Sequence, residues 1–243
     1  MRAATPQPER GFTIMELMIA AAIFLVICGA MFGLLQLSQQ KYSSETQLSG
    51  AFQETRLAID RIVRDFNVSG YPSQSIFSKP PSDTTQYAQN PVAWGPNYPD
   101  TPCSVGSSVG VPCTTPYDFD LILETDLGNG VSWIRYQLKG TTLYRAVAPK
   151  AAGTTPDAAT SDPAVMVPFL TNVLNSPPAQ PIFKFTCDTS TGPLPCAAAG
   201  IYGVANNIRD VDITLIVMTR QRDMQTQQLK LVELNGRGHR VNP

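Results

Sequence analysis

Residues 12 to 35, FTIMELMIAAAIFLVICGAMFGLL, form an apolar segment whose only charged residue is Glu16. As a helix, these residues would be about 36 Å long, enough to cross a bilayer core of about 30 Å. Arg2 and Arg10 precede the segment, and the next cation is Lys41. Because positive charge favours the cytoplasmic side, the sequence predicts a single-pass protein with a cytoplasmic N-terminus and an exported remainder.

The apolar segment is interpreted as a retained anchor rather than a removed secretory signal. A secretory signal places its small-residue cleavage site after the apolar run, whereas here Gly11 precedes it and no A-x-A-like site follows. Cys28 lies inside the run and is expected to pack there as a small hydrophobe. A carboxylate at the centre of a membrane helix costs roughly 2.5–3.5 kcal/mol, so Glu16 either snorkels to the interface near the helix end or has a partner.

The stretch RGFTIMELMI, residues 10–19, resembles the processing signature of type IV prepilins. The resemblance implies that a prepilin peptidase cuts between Gly11 and Phe12, removes a cytoplasmic leader of residues 1–11, and methylates the Phe12 nitrogen. Glu16 would then be the fifth mature residue and would pair with the Phe12 amine of a neighbouring subunit. Either charge left unpaired in an apolar bundle is costly, so this pair would set the axial register between subunits.

Beyond residue 35 the helix is expected to continue as an amphipathic half over residues 36–70 and to end near Gly70. Its predicted apolar face consists of Leu48, Phe52, Ile59, Ile62, Val63 and Phe66, and Asp60 and Arg64 are spaced for an i,i+4 ion pair. The resemblance implies an α+β, lollipop-like arrangement. In it, residues 12–35 form the transmembrane and assembly half, and residues 71–243 form a periplasmic head.

The head is predicted to be β-rich, with two long loops. Residues 71–116 are rich in Pro, Ser, Gly and Asn, and residues 149–163 form a second Pro-rich loop. Tyr87, Trp94 and Tyr98 are expected to pin the first loop to the head surface. Alternating or short apolar runs predict antiparallel strands, with a hairpin turn at Lys139-Gly140-Thr141. The predicted strands are 117–127, 133–138, 142–147, 165–173, 182–186, 209–219 and 228–234.

Three stretches also resemble PilW-like minor pilins and the related J-type pseudopilins of type II secretion: Arg56–Gly70, Leu143–Arg145 and Arg209–Thr219. The resemblance implies a structural subunit of the inner membrane that enters a helical pilus through its N-terminal helix. Its partners would be prepilin peptidase, other major and minor pilins, the inner-membrane assembly platform and the lipid bilayer. One alternative is a J-type pseudopilin, and a second is a membrane-anchored periplasmic binding or enzymatic domain.

Composition argues against nucleic acid and against catalysis. The net charge is −1, whereas binding to phosphate backbones needs a clustered excess of Lys and Arg. The single histidine, His239, is expected in a flexible tail, and one histidine makes a Ser/His/Asp or Cys/His site improbable. Asp118, Asp120, Glu124 and Asp126 are interpreted as a solvated strand face rather than a calcium site or a glycosidase pair. We therefore expect no enzyme activity, no cofactor and no metal.

The remaining four cysteines have spacings of C-x9-C and C-x8-C, which are wider than the two to four intervening residues of zinc sites. In an exported head they are expected to form disulfides. Four cysteines allow three pairings, of which we favour the local one, Cys103–Cys113 with Cys187–Cys196. Cys28 should remain reduced.

Overall fold

The computed structural model describes residues 11–106, 110–177, 179–223 and 226–241. The predicted leader therefore lies outside the described residues, apart from Gly11. A helix of 54 residues, α1 (Ile14–Asn67), leads into a head of two antiparallel sheets. The fold is α+β and pilin-like, which confirms the predicted fold class. The helix ends at Asn67 with Val68 as its C-cap residue, and Gly70 follows with a φ of +83°, a conformation that favours glycine.

The two halves of α1 differ in burial. Each large apolar side chain from Phe12 to Leu37 is at least 48% exposed, whereas the fully buried helix residues begin at Thr55. Among the described residues, α1 is the one helix long and apolar enough to cross a membrane. Two details of the predicted face are wrong. Phe52 is 43% exposed, and Asp60 pairs with Arg56 rather than Arg64, at 3.9 Å.

The first sheet has five antiparallel strands in sequence order. They are β1 (Val92–Ala93), β2 (Asp120–Asp126), β3 (Val131–Lys139), β4 (Thr142–Pro149) and β5 (Met166–Thr171). The predicted hairpin joins β3 to β4, and Gly140 takes a φ of +60° in its turn. A short helix, α2 (Pro156–Thr160), lies within the second predicted loop.

The second sheet has the strand order β7-β6-β8-β9. Its strands are β6 (Phe183–Thr189), β7 (Gly192–Pro195), β8 (Ile208–Met218) and β9 (Leu231–His239). A backbone bridge between Val173 and Val217 links the end of the first sheet to β8. Short strands β1 and β7 escaped prediction because neither has enough residues to show an alternating pattern.

His239 is not in a flexible tail, because β9 extends to this residue. Its backbone N–H donates to Asn67 Oδ1 at 2.9 Å, and its Nδ1 lies 2.5 Å from Asp210 Oδ1. Burial raises the pKa of Asp210, but hydrogen bonds from His239 and Arg237 outweigh it and leave that pKa below its usual value. The Gly-rich end of the chain therefore closes the second sheet beside the C-terminus of α1.

Strand β9 approaches α1 so closely that two of its residues have no room for a side chain. A Cβ atom at Gly236 would lie 2.2 Å from Ile59 Cγ2, and one at Gly238 would lie 2.8 Å from Phe66 Cδ1. Glycines two residues apart lie on one face of a strand, so together they leave a channel for the helix. The core between α1 and both sheets includes Ile62 and Phe66, which are 0% exposed.

The long loop after α1 is part of the core as well as of the surface. Trp94 is 0% exposed, so it belongs to the interior rather than the predicted surface contact. Its indole Nε1–H donates to the Thr101 carbonyl at 3.1 Å, and its ring packs edge-on against Tyr98 at 4.9 Å. These contacts order a segment whose composition alone favours irregular structure.

Candidate assembly and processing site

The predicted cleavage junction lies just ahead of α1. Gly11 and Phe12 precede the first helical residue, and Phe12 is 90% exposed. Among the described residues, no atom outside the chain neighbours of Gly11 lies within 4 Å of the position a Cβ would take there. Both residues are thus sterically accessible to another protein, as cleavage at this bond would require.

Glu16 takes part in a capping box at the start of α1. Its Oε2 accepts hydrogen bonds from the Thr13 N–H and the Thr13 hydroxyl, both at 3.0 Å, while the Glu16 N–H donates to Thr13 Oγ1 at 3.3 Å. The side chains of Thr13 and Glu16 thus accept hydrogen bonds from backbone N–H groups that the first turn of a helix otherwise leaves without partners. Sequence reasoning missed this role of Thr13, although Thr-x-x-Glu is the signature of such a box.

The surface around Glu16 is apolar and uncovered by the head. Its flanking residues Leu17, Met15 and Ile19 are 67%, 70% and 56% exposed. Apolar area removed from water contributes roughly 25 cal/mol per Å², so this half of the helix is most stable in lipid or against other apolar helices. The apolar half of α1 therefore carries one carboxylate, at a fixed position along the helix axis.

A second polar cluster fixes the other half of α1 to the first sheet. Asp65, which is 2% exposed, accepts hydrogen bonds from Tyr136 Oη at 2.7 Å and Arg145 Nη2 at 2.9 Å, and pairs with Arg61 at 3.1 Å. Burial lowers the pKa of Arg145, but Tyr136 and Asp65 outweigh that effect and raise it. Since a half-satisfied buried ion pair is costly, this cluster specifies how helix and head meet.

The carboxylates of β2 are not a solvated face, so that prediction is wrong for Asp120 and Glu124. Glu124 is 0% exposed and lies 2.6 Å from Lys150 Nζ. It also accepts a hydrogen bond from the Gln89 N–H at 2.9 Å and one from the Tyr98 hydroxyl. The loop after α1 covers this face of the sheet, and its hydrogen bonds to the buried pair, including one from Lys150 Nζ to the Tyr87 carbonyl at 3.1 Å, hold it there.

Asp120 is 1% exposed and pairs with Arg135 at 2.5 Å. Burial raises the pKa of Asp120, against the opposing effect of Arg135. Arg135 also lies 3.4 Å from Asp157 of α2, so α2 covers this end of β2 and β3. Alternation along one strand showed which residues share a face, but not that distant segments cover it.

The structure contains disulfides between Cys103 and Cys113 and between Cys187 and Cys196, and Cys28 is a free cysteine. The segment closed by the first disulfide contacts the chain that follows the second disulfide. The Val105 N–H donates to the Gly203 carbonyl at 2.8 Å, just beyond the second disulfide. The first disulfide closes an irregular segment, whereas the second joins β6 to the residue that follows β7.

Comparison with known proteins agrees with the N-terminal geometry. Residues 7–32 match the family model described as the prokaryotic N-terminal methylation motif. No curated protein and no solved structure matches the chain. The motif contains Gly11, Phe12, Thr13 and Glu16, and it indicates membrane anchoring, processing by a prepilin peptidase and assembly with other pilins. The chain is therefore similar to type IV pilins and pseudopilins in its N-terminal motif and in its fold.

Proposed function

We propose that this protein is a minor pilin: a non-enzymatic structural subunit that enters a type IV pilus through its N-terminal helix. The observation that carries the proposal is a methylation motif on a helix whose first half is bare while its second half is built into a head. A subunit that only needed an anchor would not require a cleavage junction beside an accessible Phe12, nor a carboxylate four residues after it.

Assembly follows from the chemistry of the bare half. Cleavage after Gly11 would create an amine on Phe12 with an ordinary pKa of about 7.7–8.0, so it would be largely charged at neutral pH. Inside a bundle of apolar helices, that cation finds its nearest opposite charge on Glu16 of an adjacent subunit. Apolar contact supplies the driving force, and the ion pair supplies the axial position.

Processing is tested by intact mass. The chain is produced with and without a co-expressed prepilin peptidase, and we expect loss of residues 1–11 and addition of one methyl group only with the peptidase. Gly11→Val should remain a full-length, membrane-bound precursor, because the added side chain obstructs the approach of the peptide bond to the peptidase. Gly29→Ala, further along the same segment, is the matched control and should be processed normally.

N-terminal sequencing that shows cleavage at another bond, or no cleavage by any prepilin peptidase, would contradict this proposal and favour a membrane-anchored binding or enzymatic domain. Copurification separates the remaining two possibilities. A minor pilin should appear in sheared surface pili, whereas a J-type pseudopilin should purify with type II secretion components instead.

A further inference from the structure

In the connection between β8 and β9, residues 219–223 leave the head and run along α1 towards the apolar half of the helix, and residues 226–230 return to β9. We call this connection the strap. Four polar contacts between described residues join it to the helix: Arg220 with Glu54 at 3.3 Å, Gln221 with Gln47 at 3.0 Å, and both Asp223 and Lys230 with Ser44 at 2.7 Å. The strap is therefore held at a fixed height on α1.

That height is close to the surface of any bilayer that α1 crosses. Ser44 follows the last residue of the apolar segment, Leu35, by nine positions, which is about 13 Å of helix. The headgroup layer extends about 5–7 Å beyond the hydrocarbon core on each side. Long cationic side chains can extend several ångströms towards it. This proximity holds whichever side of the membrane carries the head.

The charges at this height include two cations without an acidic partner. Arg220 pairs with the carboxylate of Glu54 at 3.3 Å, and Lys230 pairs with the carboxylate of Asp223 at 3.1 Å. Among the described residues, neither Lys41 nor Arg222 has a carboxylate within ion-pairing distance, and both are exposed.

Lys41 lies on α1 beside the strap, and it lines the same polar hollow as Lys230. Arg222 lies on the strap itself, where its Nη1 donates to the Gln227 carbonyl at 3.1 Å. Glu45 lines the hollow as well, so the cations of the strap and its adjoining helix outnumber the carboxylates by four to three.

We propose that Lys41 and Arg222 bind the phosphates of anionic phospholipids, so that the strap docks the head on the bilayer surface before the subunit enters a filament. This inference rests on the proposed membrane-anchored pilin. A guanidinium and an ammonium are the groups that proteins use for phosphate, and basic residues beside a membrane helix attract anionic lipid. The docking would be electrostatic and therefore weakened by salt.

The test compares hydrogen–deuterium exchange of the full chain in nanodiscs of phosphatidylcholine alone and of phosphatidylcholine with one quarter phosphatidylglycerol. We expect residues 219–230 to exchange at least about threefold more slowly in the anionic discs at low salt. The difference should disappear in 0.5 M NaCl. Residues 126–131, the turn between β2 and β3, should exchange equally in both lipids.

Variants identify the groups. Lys41→Gln with Arg222→Gln should abolish the difference between the two lipids, whereas Lys41→Arg with Arg222→Lys should retain it. Lys79→Gln with Lys184→Gln removes two exposed lysines elsewhere and is the matched control. Equal exchange of the wild-type strap in both lipids, or protection that survives the double glutamine variant, would overturn the docking. Failure of the wild-type chain to insert into either disc would instead contradict the membrane anchorage on which it rests.

Discussion

At the scale of single residues, the Glu16 carboxylate has one partner within its own chain and one proposed partner in a neighbouring subunit. Within one chain, its carboxylate caps the first turn of α1 through Thr13. Between chains, the proposed partner is the Phe12 amine of a neighbour. A carboxylate has several acceptor sites, so the cap and the ion pair can share it. The local cap also pre-orients Glu16 towards the end of the helix where a neighbour's amine would lie.

Replacing Glu16 by Ala separates folding from assembly. Membrane insertion should be unchanged or improved, because a charge that costs roughly 2.5–3.5 kcal/mol in a membrane helix is gone. Incorporation into filaments should fall at least about tenfold, since loss of even about 1.4 kcal/mol at the interface has that effect. Immunoblots of membranes and sheared filaments measure the two quantities.

Asp60→Ala is the control, because this residue is an exposed carboxylate on the same helix, outside both the apolar segment and the strap contacts. It should leave filament incorporation unchanged. If Glu16→Ala subunits enter filaments at the wild-type level, Glu16 does not pair between subunits.

At the residue level, the N-terminal methylation motif can be recognised from the sequence because its signal is local. Gly11, Phe12 and Glu16 stand within six residues of one another, at spacings that do not depend on the rest of the fold. Asp120 and Glu124 were assigned to solvent because alternation gives the face of a strand and not its covering. Their partners Arg135 and Lys150 lie 15 and 26 residues away, and only the folded chain brings them together.

At the scale of elements, β9 can pack this closely against α1 because Gly236 and Gly238 have no side chains. Gly236→Ala should lower the free energy of unfolding of the full chain by about 1–3 kcal/mol, because its Cβ overlaps Ile59 and the strand must shift. Denaturant unfolding followed by tryptophan fluorescence in detergent measures the change, since Trp94 and Trp133 are both buried in the head.

Gly50→Ala is the control for that prediction. Apart from the backbone of its own helix, no described atom lies within 4 Å of the Cβ position of this helical glycine, and alanine there should stabilise the helix by about 0.5–1 kcal/mol. Adding Ile59→Ala to Gly236→Ala should give less than the sum of the separate losses, because the overlap is then relieved. Additive losses would show that the two residues do not compete for the same space.

Element boundaries were predictable to within a few residues where periodicity is strong, as for β3, β4 and β8. The sequence did not predict the role of Gly236 and Gly238, since a glycine in a strand sequence is equally consistent with a bulge, a turn or a close contact with another element. Phe52 shows the converse limit. Its spacing fits the apolar face of α1, but the head does not reach that side of the helix, so the residue is exposed.

At the scale of the whole molecule, the disulfides test where the head resides. Non-reducing peptide mapping of the protein from membranes should give Cys103–Cys113 and Cys187–Cys196 links, with Cys28 alkylated as a free thiol. Each link should stabilise the head by somewhat under about 3 kcal/mol, as expected for loops of this length. Serine variants of one pair at a time should therefore unfold at lower denaturant concentration.

Serine at Cys28 is the control and should not change the unfolding midpoint of the head. Four free thiols in the head would place it in the reducing cytoplasm and reverse the orientation predicted from Arg2 and Arg10. A Cys103–Cys187 or Cys103–Cys196 link would contradict only the local pairing.

The unbroken helix gives the molecule a single path for mechanical load. No proline interrupts α1 from Ile14 to Asn67, so tension applied at the heads of a filament would pass straight into the bundle of apolar halves without a kink to absorb it. Of the three glycines of α1, which have the lowest helix propensity on that path, Gly29 and Gly33 lie in the apolar half, away from the head, and no described side chain comes within 4 Å of a Cβ position at either. Under a pulling force, a filament of such subunits would lengthen first at these glycines, inside its apolar core, while the heads kept their shape.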